Sequence, residues 1–468
     1  MPSGDTIARK LPRLVKIMRR MKLFSFLWNT GAHVAGWRHP ESTDEGQHSL
    51  EFFQKVAAIA ERGKMDAIFL ADSVGFHRTR GAQAFACVDH VKLEPTTLLA
   101  ALAATTKNIG LVGTASTSFN HPYSLARKFA SLDHISHGRV GWNIVTSTGE
   151  NEAHNFGLDQ NYGHADRYER ATEFVEVVQK LWDSWEDEAL VMDKASGRYS
   201  DPSKIHGLDH DGKFYKVKGP LNIARPPQGH PVLVQAGSSG TGKAFAARFA
   251  EAIFTSHPTV DTARAFYADV KQQVAAAGRN PDMVKVMASV QPMVASTEAE
   301  ARRMSDELNA LVHPDLGISM LGAFLGGVDL SGEDPDGPLP AIPETENAKS
   351  TRERVLNWAK EGNLSIRELG DKIAAQRTSR NLVGTPDQIA DGLADWFTGG
   401  ACDGFIIGAP WLPGGLERFV DTVIPILQQR GLFRTEYEGS TLRENLGLER
   451  PENHFVRHPE DHAVPEIW

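Results

Sequence analysis

The chain has 468 residues, of which 41% are hydrophobic and 23% are charged, and its net charge is −9. This composition is typical of a soluble chain that buries a large core, and the negative charge disfavours a nucleic-acid-binding or anionic-membrane-binding surface. The two cysteines, Cys87 and Cys402, exclude a disulfide framework and a cysteine metal cluster, so we expect a reducing cytoplasm.

The first 20 residues differ from the rest because they carry six Lys or Arg against one Asp. They lack the apolar core of a signal peptide, and no later run is apolar for long enough to span a bilayer. We predict a disordered basic extension over residues 1–20, or a start codon placed upstream of the true one at Met21. A single domain is then expected over residues 21–450, followed by a C-terminal tail over residues 451–468.

Short apolar or β-branched runs recur along the chain, and their continuous apolar character predicts strands buried on both faces. Segments with helical periodicity lie between them, as in residues 165–187, where apolar side chains form one stripe. Eight strands alternating with helices predict a (β/α)8 TIM barrel of the α/β class. The runs are residues 23–28, 67–71, 109–116, 140–147, 232–237, 252–256, 284–294 and 404–410.

The alternative to a barrel is a doubly wound open sheet, which would place G-x-G-x-x-G after the first strand. Residues 29–40 read NTGAHVAGWRHP instead, so we prefer the barrel. Two long insertions interrupt the alternation, at about residues 183–230 and 311–380. Residues 326–346 contain acids, Gly and Pro but no Lys or Arg, which is compatible with either a lid or an unstructured surface segment.

Polar residues stand near the ends of several runs, where barrel enzymes place their chemistry. Asp72 follows the second run, Asn143 and Thr146 lie in the fourth, and Gln235 lies in the fifth. A buried amide or carboxylate costs a few kcal/mol unless it is hydrogen-bonded, so these groups either satisfy one another or face a polar ligand. Together they favour a flat polar heterocycle that is recognised at its edges.

Residues 237–244, GSSGTGKA, match the P-loop pattern G-x-x-x-x-G-K-[ST] except at Ala244, which lacks the hydroxyl that would bind Mg²⁺. The one run that ends in Asp precedes this loop instead of following it, so a nucleotide hydrolase is disfavoured. Two interpretations remain. The turn binds an anion with the backbone N–H groups of a helix start, or Ser239 or Thr241 is an ordinary helix cap.

Histidines follow several of the predicted strands. We interpret His33, His77 and His313 as catalytic candidates, polar or proton-handling groups above a bound ring, with a purely structural role as the alternative. His134 and His137 form H-x-x-H at a helix end, which is too little for a zinc site, so no metal is expected.

Several stretches of the chain together resemble the flavin-dependent monooxygenases of the bacterial-luciferase superfamily. The similarity is to the branch of nitrilotriacetate, EDTA, dibenzothiophene-sulfone and long-chain alkane monooxygenases, and it extends from Met21 to about Arg450. The stretches are residues 36–40 (GWRHP), 61–75, 121–147, 164–187, 201–206, 227–239 and 427–448.

The resemblance implies a (β/α)8 barrel that binds reduced FMN (FMNH2) delivered by a separate NAD(P)H:flavin reductase. It implies O2 activation through a C4a-peroxyflavin, which must be shielded from water. A homodimer or homotetramer is expected. The implied cofactor contacts are Ala71 and Asp72 at the isoalloxazine ring, Asn143 and Thr146 at the ring or ribityl chain, and Arg167 or Tyr168 with Ser238 and Ser239 at the phosphate. The implied shielding aromatics are Phe24, Phe26, Trp28 and Trp142.

The chain departs from this family where the substrate is expected to bind. His33 stands alone after the first strand, where the alkane enzyme has a cysteine and two histidines, and His77 replaces a tyrosine. Residues 322–337 contain no basic side chain, which disfavours aminopolycarboxylates. A neutral aromatic, sulfone, thioether or halogenated compound is equally compatible.

These observations predict a two-component FMNH2-dependent monooxygenase that oxygenates a small organic compound and cleaves a C–S, C–N or C–halogen bond. The nearest alternative is a deazaflavin-dependent oxidoreductase on the same barrel, which transfers hydride without O2. A P-loop nucleotide-binding protein and a non-catalytic flavin-binding protein are the remaining alternatives.

Overall fold

A computed structural model describes residues 19–28, 30–43, 45, 48–76, 81–237, 239–344, 349–376 and 380–462. His77 and Ser238, two of the predicted site residues, therefore lie outside the described residues, as do residues 1–18 of the predicted N-terminal extension.

Eight parallel strands close into a barrel, which confirms the predicted (β/α)8 fold. Each strand pairs with the next along the chain, and the eighth pairs with the first. Every predicted run overlaps one of them, because a strand buried on both faces needs apolar side chains at consecutive positions. The strands are β1 Lys22–Leu27, β2 Ala67–Leu70, β3 Gly110–Ser116, β4 Val140–Val145, β5 Val232–Gln235, β6 Ala252–Thr255, β7 Lys285–Val294 and β8 Gly404–Ile407.

Helices connect the strands and cover the barrel. The first is typical: the Ser49 hydroxyl caps it by accepting from the Phe52 N–H at 3.2 Å, and its apolar stripe is buried. The helices are α1 Leu50–Arg62, α2 Ala82–Ala86, α3 Pro95–Ala103, α4 Pro122–Ile135, α5 Glu150–Asn155, α6 His164–Asp183, α7 Gly240–Phe249, α8 Val260–Ala276, α9 Glu298–Ala310, α10 Pro314–Phe324, α11 Lys349–Gly362, α12 Ile366–Gln376, α13 Pro386–Thr398, α14 Gly414–Gln429, α15 Leu442–Leu446 and α16 His454–Arg457. No helix in the described part of the chain is long and apolar enough to cross a membrane.

The N-terminal end of the barrel is closed by α15. Leu442 and Leu446 are fully buried against the apolar side chains of the barrel interior. Nearby, the Arg434 guanidinium forms a buried ion pair with Asp66, at the start of β2. This end is therefore sealed, and only the C-terminal ends of the strands, which we call the barrel mouth, are available for a ligand. Beyond α15, residues 451–462 pack on the end of α6, where Asn453 Nδ2 donates to the Asp183 carbonyl at 2.8 Å.

The two insertions differ in structure. Residues 183–230 contain two short antiparallel hairpins, Leu190–Asp193 with Arg198–Ser200 and His210–Asp211 with Lys216–Val217. The second insertion forms α10, α11 and α12, whose apolar side chains share a core with α9, the end of β7 and the loops after β1 and β8. It ends in a ninth strand, Arg380–Gly384, which pairs with the end of β7 outside the barrel. The described part of the second insertion is thus a helical unit packed beside the barrel mouth.

Candidate functional site

Asn143 is the inward-facing polar residue of β4 at the barrel mouth. It is 4% exposed and pairs in register with Thr114 of β3. Its Nδ2 donates to Thr114 Oγ1 at 2.9 Å, and that hydroxyl donates to the Leu70 carbonyl at 2.8 Å. Its Oδ1 has no hydrogen-bond partner among the described residues. A buried acceptor without a donor is costly, so this oxygen is suited to a ligand N–H or O–H.

Glu152 of α5 connects the loops that follow β2 and β4. It is 7% exposed, and its Oε1 accepts from Ser73 Oγ at 3.2 Å, the Val74 N–H at 3.3 Å and Ser147 Oγ at 3.3 Å. Its Oε2 accepts from the Gly149 N–H at 3.0 Å. One carboxylate thus fixes the segments that follow Asp72 and Thr146.

Ser147 lies in the loop after β4, and its side chain is hydrogen-bonded to Glu152. Its hydroxyl also contacts Ser116 Oγ, at the end of β3, at 2.9 Å, and its backbone has φ of +39°. This left-handed conformation is strained for a serine, and the surrounding hydrogen bonds maintain it.

Asp72 lies directly after β2, half-buried between these loops. Burial raises the pKa of its carboxyl group to about 6, while the Ser73 N–H and the Lys92 ammonium oppose this shift. Glu94 and Glu152 raise the same pKa further. A carboxylate that is costly to ionise without a partner is suited to accept a hydrogen bond from a bound heterocycle.

The glycine-rich turn leads from β5 into α7. Ser239 caps the helix by accepting from the Gly242 N–H at 3.1 Å. A Cβ atom at Gly242 would lie 3.0 Å from both Ser239 Oγ and Tyr168 Oη, so the Tyr168 hydroxyl borders this turn. A Cβ atom at Gly240 would meet no atom within 4 Å. The turn is therefore open to an anion on one side and bordered by hydroxyl groups on the other.

Of three further residues near this turn, only Gln235 lies away from its predicted position. Arg167 Nη1 donates to the Tyr162 carbonyl at 2.6 Å, while its buried Nε has no hydrogen-bond partner among the described residues, and its phosphate role stays a prediction. Gln235 pairs in register with Ile144, whose side chain packs in the helix layer, so Gln235 lies on the opposite face of the sheet from Asn143. Lys243 forms an ion pair with Asp269, which excludes it from the phosphate-binding role of a P-loop lysine.

The predicted shielding aromatics fall into two groups. Phe26 and Trp28 lie in the barrel mouth, stacked with ring centroids 5.8 Å apart, and Phe24 lies deeper in the barrel core. Trp142 was expected in this group, and that prediction is wrong. Its ring is buried outside the barrel between Phe129 and Phe174, with both centroid distances 5.9 Å.

Comparison with known proteins identifies the family. A model described as luciferase-like monooxygenase matches residues 24–402. The chain belongs to this family. It is 47% identical over 441 residues to N-acetyl-S-(2-succino)cysteine monooxygenase of Bacillus subtilis (strain 168), covering 94% of this chain and 99% of that protein. It is 48% identical over 447 residues to nitrilotriacetate monooxygenase component A of Aminobacter aminovorans, again with 94% and 99% covered.

A solved structure supports the same assignment. The crystal structure of riboflavin lyase with modified FMN and riboflavin superposes with a TM-score of 0.82 at 33% identity, covering 95% of this chain and 98% of that one. As a luciferase-like, flavin-dependent monooxygenase, the chain is an enzyme.

Two of the three histidines predicted as catalytic lie away from Asn143, beside the second insertion. His33 is 4% exposed, its Nδ1 accepts from the Ala35 N–H at 3.1 Å, and its Nε2 lies 3.1 Å from Asn309 Oδ1. His313 caps α10, with Nδ1 accepting from the Asp315 N–H at 3.3 Å. These contacts give both histidines a structural role, and their catalytic role remains a prediction.

Glu152 and Thr114 are not among the site residues that we predicted from the sequence. Glu152 is one acid on a short, polar helix, and its sequence neighbourhood contains no motif that marks it. Thr114 has a clearer signal, because a threonine in the middle of an apolar run must find a buried hydrogen-bond partner. The remaining predicted residue, Thr146, contributes its carbonyl, which accepts from Ser118 Oγ at 2.8 Å.

Proposed function

We propose that the chain is the oxygenase of a two-component system, which receives reduced FMN from a separate NAD(P)H:flavin reductase and oxygenates a small organic compound. The observation that carries this proposal is the buried Oδ1 of Asn143, which lacks a donor among the described residues at the mouth of a luciferase-like barrel. The relative named component A supports the separate reductase, and the modified FMN bound to riboflavin lyase supports the choice of flavin.

The described residues fit FMN at both ends of the molecule. Asn143 Oδ1 and the Asp72 carboxylate are acceptors for the N–H groups of a reduced ring, and Ala71 borders the same strand end. At the other end, Ser239, the Tyr168 hydroxyl and the open turn at Gly240 are suited to a phosphate. Ser238, outside the described residues, and Arg167 remain proposed phosphate ligands.

Bound reduced FMN supplies two electrons to O2, so that one oxygen atom enters the substrate and the other leaves as water while FMN is released. The protein positions the ring and excludes water. Phe26 and Trp28 provide an apolar wall in the barrel mouth, and the second insertion lies beside it. We propose that the oxygenated product decomposes with cleavage of a C–S, C–N or C–halogen bond.

The test is reconstitution with a generic flavin reductase, NADH, FMN and O2, while organosulfur, aminocarboxylate and chlorinated aromatic compounds are compared as substrates. We expect substrate-dependent product formation with oxygen from ¹⁸O2 incorporated. Turnover with a reduced deazaflavin and no O2 uptake would overturn the proposal in favour of hydride transfer. Flavin binding without turnover of any compound would instead favour a flavin-binding protein.

The phosphate end has its own test. Replacing Ser239 with Ala is expected to weaken FMN binding about tenfold, because one hydrogen bond to a charged group is lost. Riboflavin, which lacks the phosphate, is expected to bind the variant and the wild type equally. An equal loss for both flavins would contradict the phosphate role.

A further inference from the structure

A cavity of about 230 Å³ lies among segments that follow the C-terminal ends of β1, β2 and β7. Three segments line it: the loop after β1, the end of α2, and the start of α10. Its described lining residues are Val34, Ala35, Trp37, Arg38, Ala86, Cys87, Leu311, Val312, His313 and Leu316.

The walls of this cavity are apolar and fixed in position. Val34 and Leu316 are each 2% exposed and belong to the core of the second insertion. The hydrogen bond between His33 and Asn309 joins the loop after β1 to the end of α9, immediately before the lining residue Leu311. Because an apolar cavity of about 150 Å³ holds benzene, this cavity accommodates a group slightly larger than a benzene ring.

Two lining residues, Arg38 and His313, carry nitrogen donors, and none of the ten described lining residues is acidic, although Asp315 lies next to His313. The Arg38 guanidinium donates to the Leu311 carbonyl and has no carboxylate partner among the described residues. In the neutral His313 ring, Nδ1 accepts from the Asp315 N–H, so the proton is on Nε2, which is a donor. The positive charge of Arg38, an exposed side chain at the edge of the cavity, and one further donor beside apolar walls complement a single anionic group.

We propose that this cavity binds the non-reacting part of the substrate, and that the substrate is a small monoanion with an apolar body about the size of a phenyl ring. The inference rests on the proposed monooxygenase function, because it names the substrate class of the same site. A second anionic group inside the cavity is disfavoured, since it would have to enter the apolar walls without a partner.

Cys87 provides a direct probe of the cavity. It is half-buried in the cavity wall, whereas Cys402 is fully buried, where burial raises the pKa of its thiol to about 12. A disulfide reagent such as DTNB should therefore modify Cys87 in the native protein and leave Cys402 unmodified.

The experiment measures how (phenylthio)acetate and the neutral (phenylthio)acetamide slow this modification of Cys87. We expect the acid to protect Cys87 at concentrations about tenfold lower than the amide, because only the acid forms a charge-assisted hydrogen bond with Arg38. Equal protection by both compounds, or protection by neither, would overturn the proposal.

Variants then assign the effect to Arg38. Arg38→Met should remove the preference for the acid, and Arg38→Lys should restore part of it. Arg62→Met, at an exposed arginine paired with Asp421 on the outside of the barrel, is the matched control and should keep the full preference. If Arg38→Met also keeps it, the proposal fails.

Binding of reduced FMN is measured on the same proteins. If FMN binds and the acid does not protect Cys87, the substrate class is wrong while the proposed function stands. If FMN does not bind the wild type, the proposed function itself fails.

Discussion

The two sides of the barrel mouth are built by different means. We call residues 71–76 after β2, the loop after β4 and the turn into α7 the polar side. The loop after β1, with α2 and the start of α10, is the apolar side. On the polar side, side chains hold backbone in place, as Glu152 does for the Val74 and Gly149 N–H groups. On the apolar side, close packing holds the backbone in place. The backbone at Gly31 and Gly36 lies so close to the Pro410 carbonyl that a Cβ atom at either glycine would collide with it.

This difference indicates that the polar side binds the cofactor and the apolar side selects the substrate. A polar network with an unpaired acceptor fixes hydrogen-bonding groups in defined directions, as a cofactor with polar edges requires. A packed apolar wall defines volume with little directional preference, so it selects a substrate by shape and charge. If the division is correct, substitutions on the polar side alter flavin affinity, and those on the apolar side alter substrate affinity.

The largest expected effect is that of Glu152→Gln. An amide cannot accept at both oxygen positions, so buried N–H and O–H donors of two loops lose their partner, at a cost of about 2–4 kcal/mol in the free energy of unfolding. FMN affinity should fall by more than tenfold, because the loops after Asp72 and Thr146 lose their common anchor. Denaturant unfolding and flavin titration measure both effects.

The matched control is Glu150→Gln on the same helix. Glu150 is exposed and accepts one hydrogen bond, from the Asn161 N–H at 2.8 Å, so its replacement should cost less than about 1 kcal/mol. If both variants behave alike, Glu152 is not the anchor of the polar side.

Asn143→Leu should separate flavin binding from stability. The substitution removes a buried acceptor that lacks a donor, so the free energy of unfolding without flavin should change by no more than about 1 kcal/mol. FMN affinity should fall about 10–100-fold, since the bound ring loses its hydrogen bond.

Asn381→Leu is the control, because Asn381 also has an Oδ1 without a partner among the described residues but lies in the ninth strand, outside the barrel. It should leave FMN affinity unchanged. An equal fall in FMN affinity for both variants would mean that the unpaired Oδ1 of Asn143 does not mark the cofactor site.

The sequence predicts the polar side better than the apolar side, for a physical reason. Asp72 and Asn143 interrupt apolar runs, so they are visible as polar groups that need partners. The cavity depends on α10 meeting the loop after β1, a contact between residues nearly 300 positions apart, and no local pattern encodes it.

The error at Trp142 was avoidable. Side chains alternate along a strand, so that if Asn143 faces the barrel interior, Trp142 must face the helices. Glu152 illustrates a true limit, because its hydrogen-bond partners come from two separate loops and only the folded chain brings them together.

Asp72→Asn should change how the free energy of unfolding depends on pH, because Asp72 is a half-buried carboxyl group on the polar side. The folded-state pKa of about 6 lies above the usual aspartate pKa of 3.8, so the native state binds the extra proton between these values. The stability that Asp72 contributes therefore falls as the pH rises through this window, by up to about 3 kcal/mol in total. The variant should be more stable than the wild type at pH 8 and equal to it at pH 4, although it binds FMN more weakly.

Unfolding curves at the two pH values measure this, with Asp306→Asn, an exposed position on α9, as the control. A stability difference that is the same at both pH values would contradict the assignment of the raised pKa to Asp72.

The smallest expected effect is on the apolar side, at Asn309→Ala. The side chain lies 3.1 Å from His33 Nε2, and its removal should cost about 1 kcal/mol in the free energy of unfolding. Because this contact joins two walls of the cavity and touches no residue of the polar side, the KM for the substrate should rise while FMN affinity stays at the wild-type value. The KM for the substrate and the FMN affinity are measured on one preparation. A fall in FMN affinity would show that the two sides are coupled and that this barrel does not bind cofactor and substrate independently.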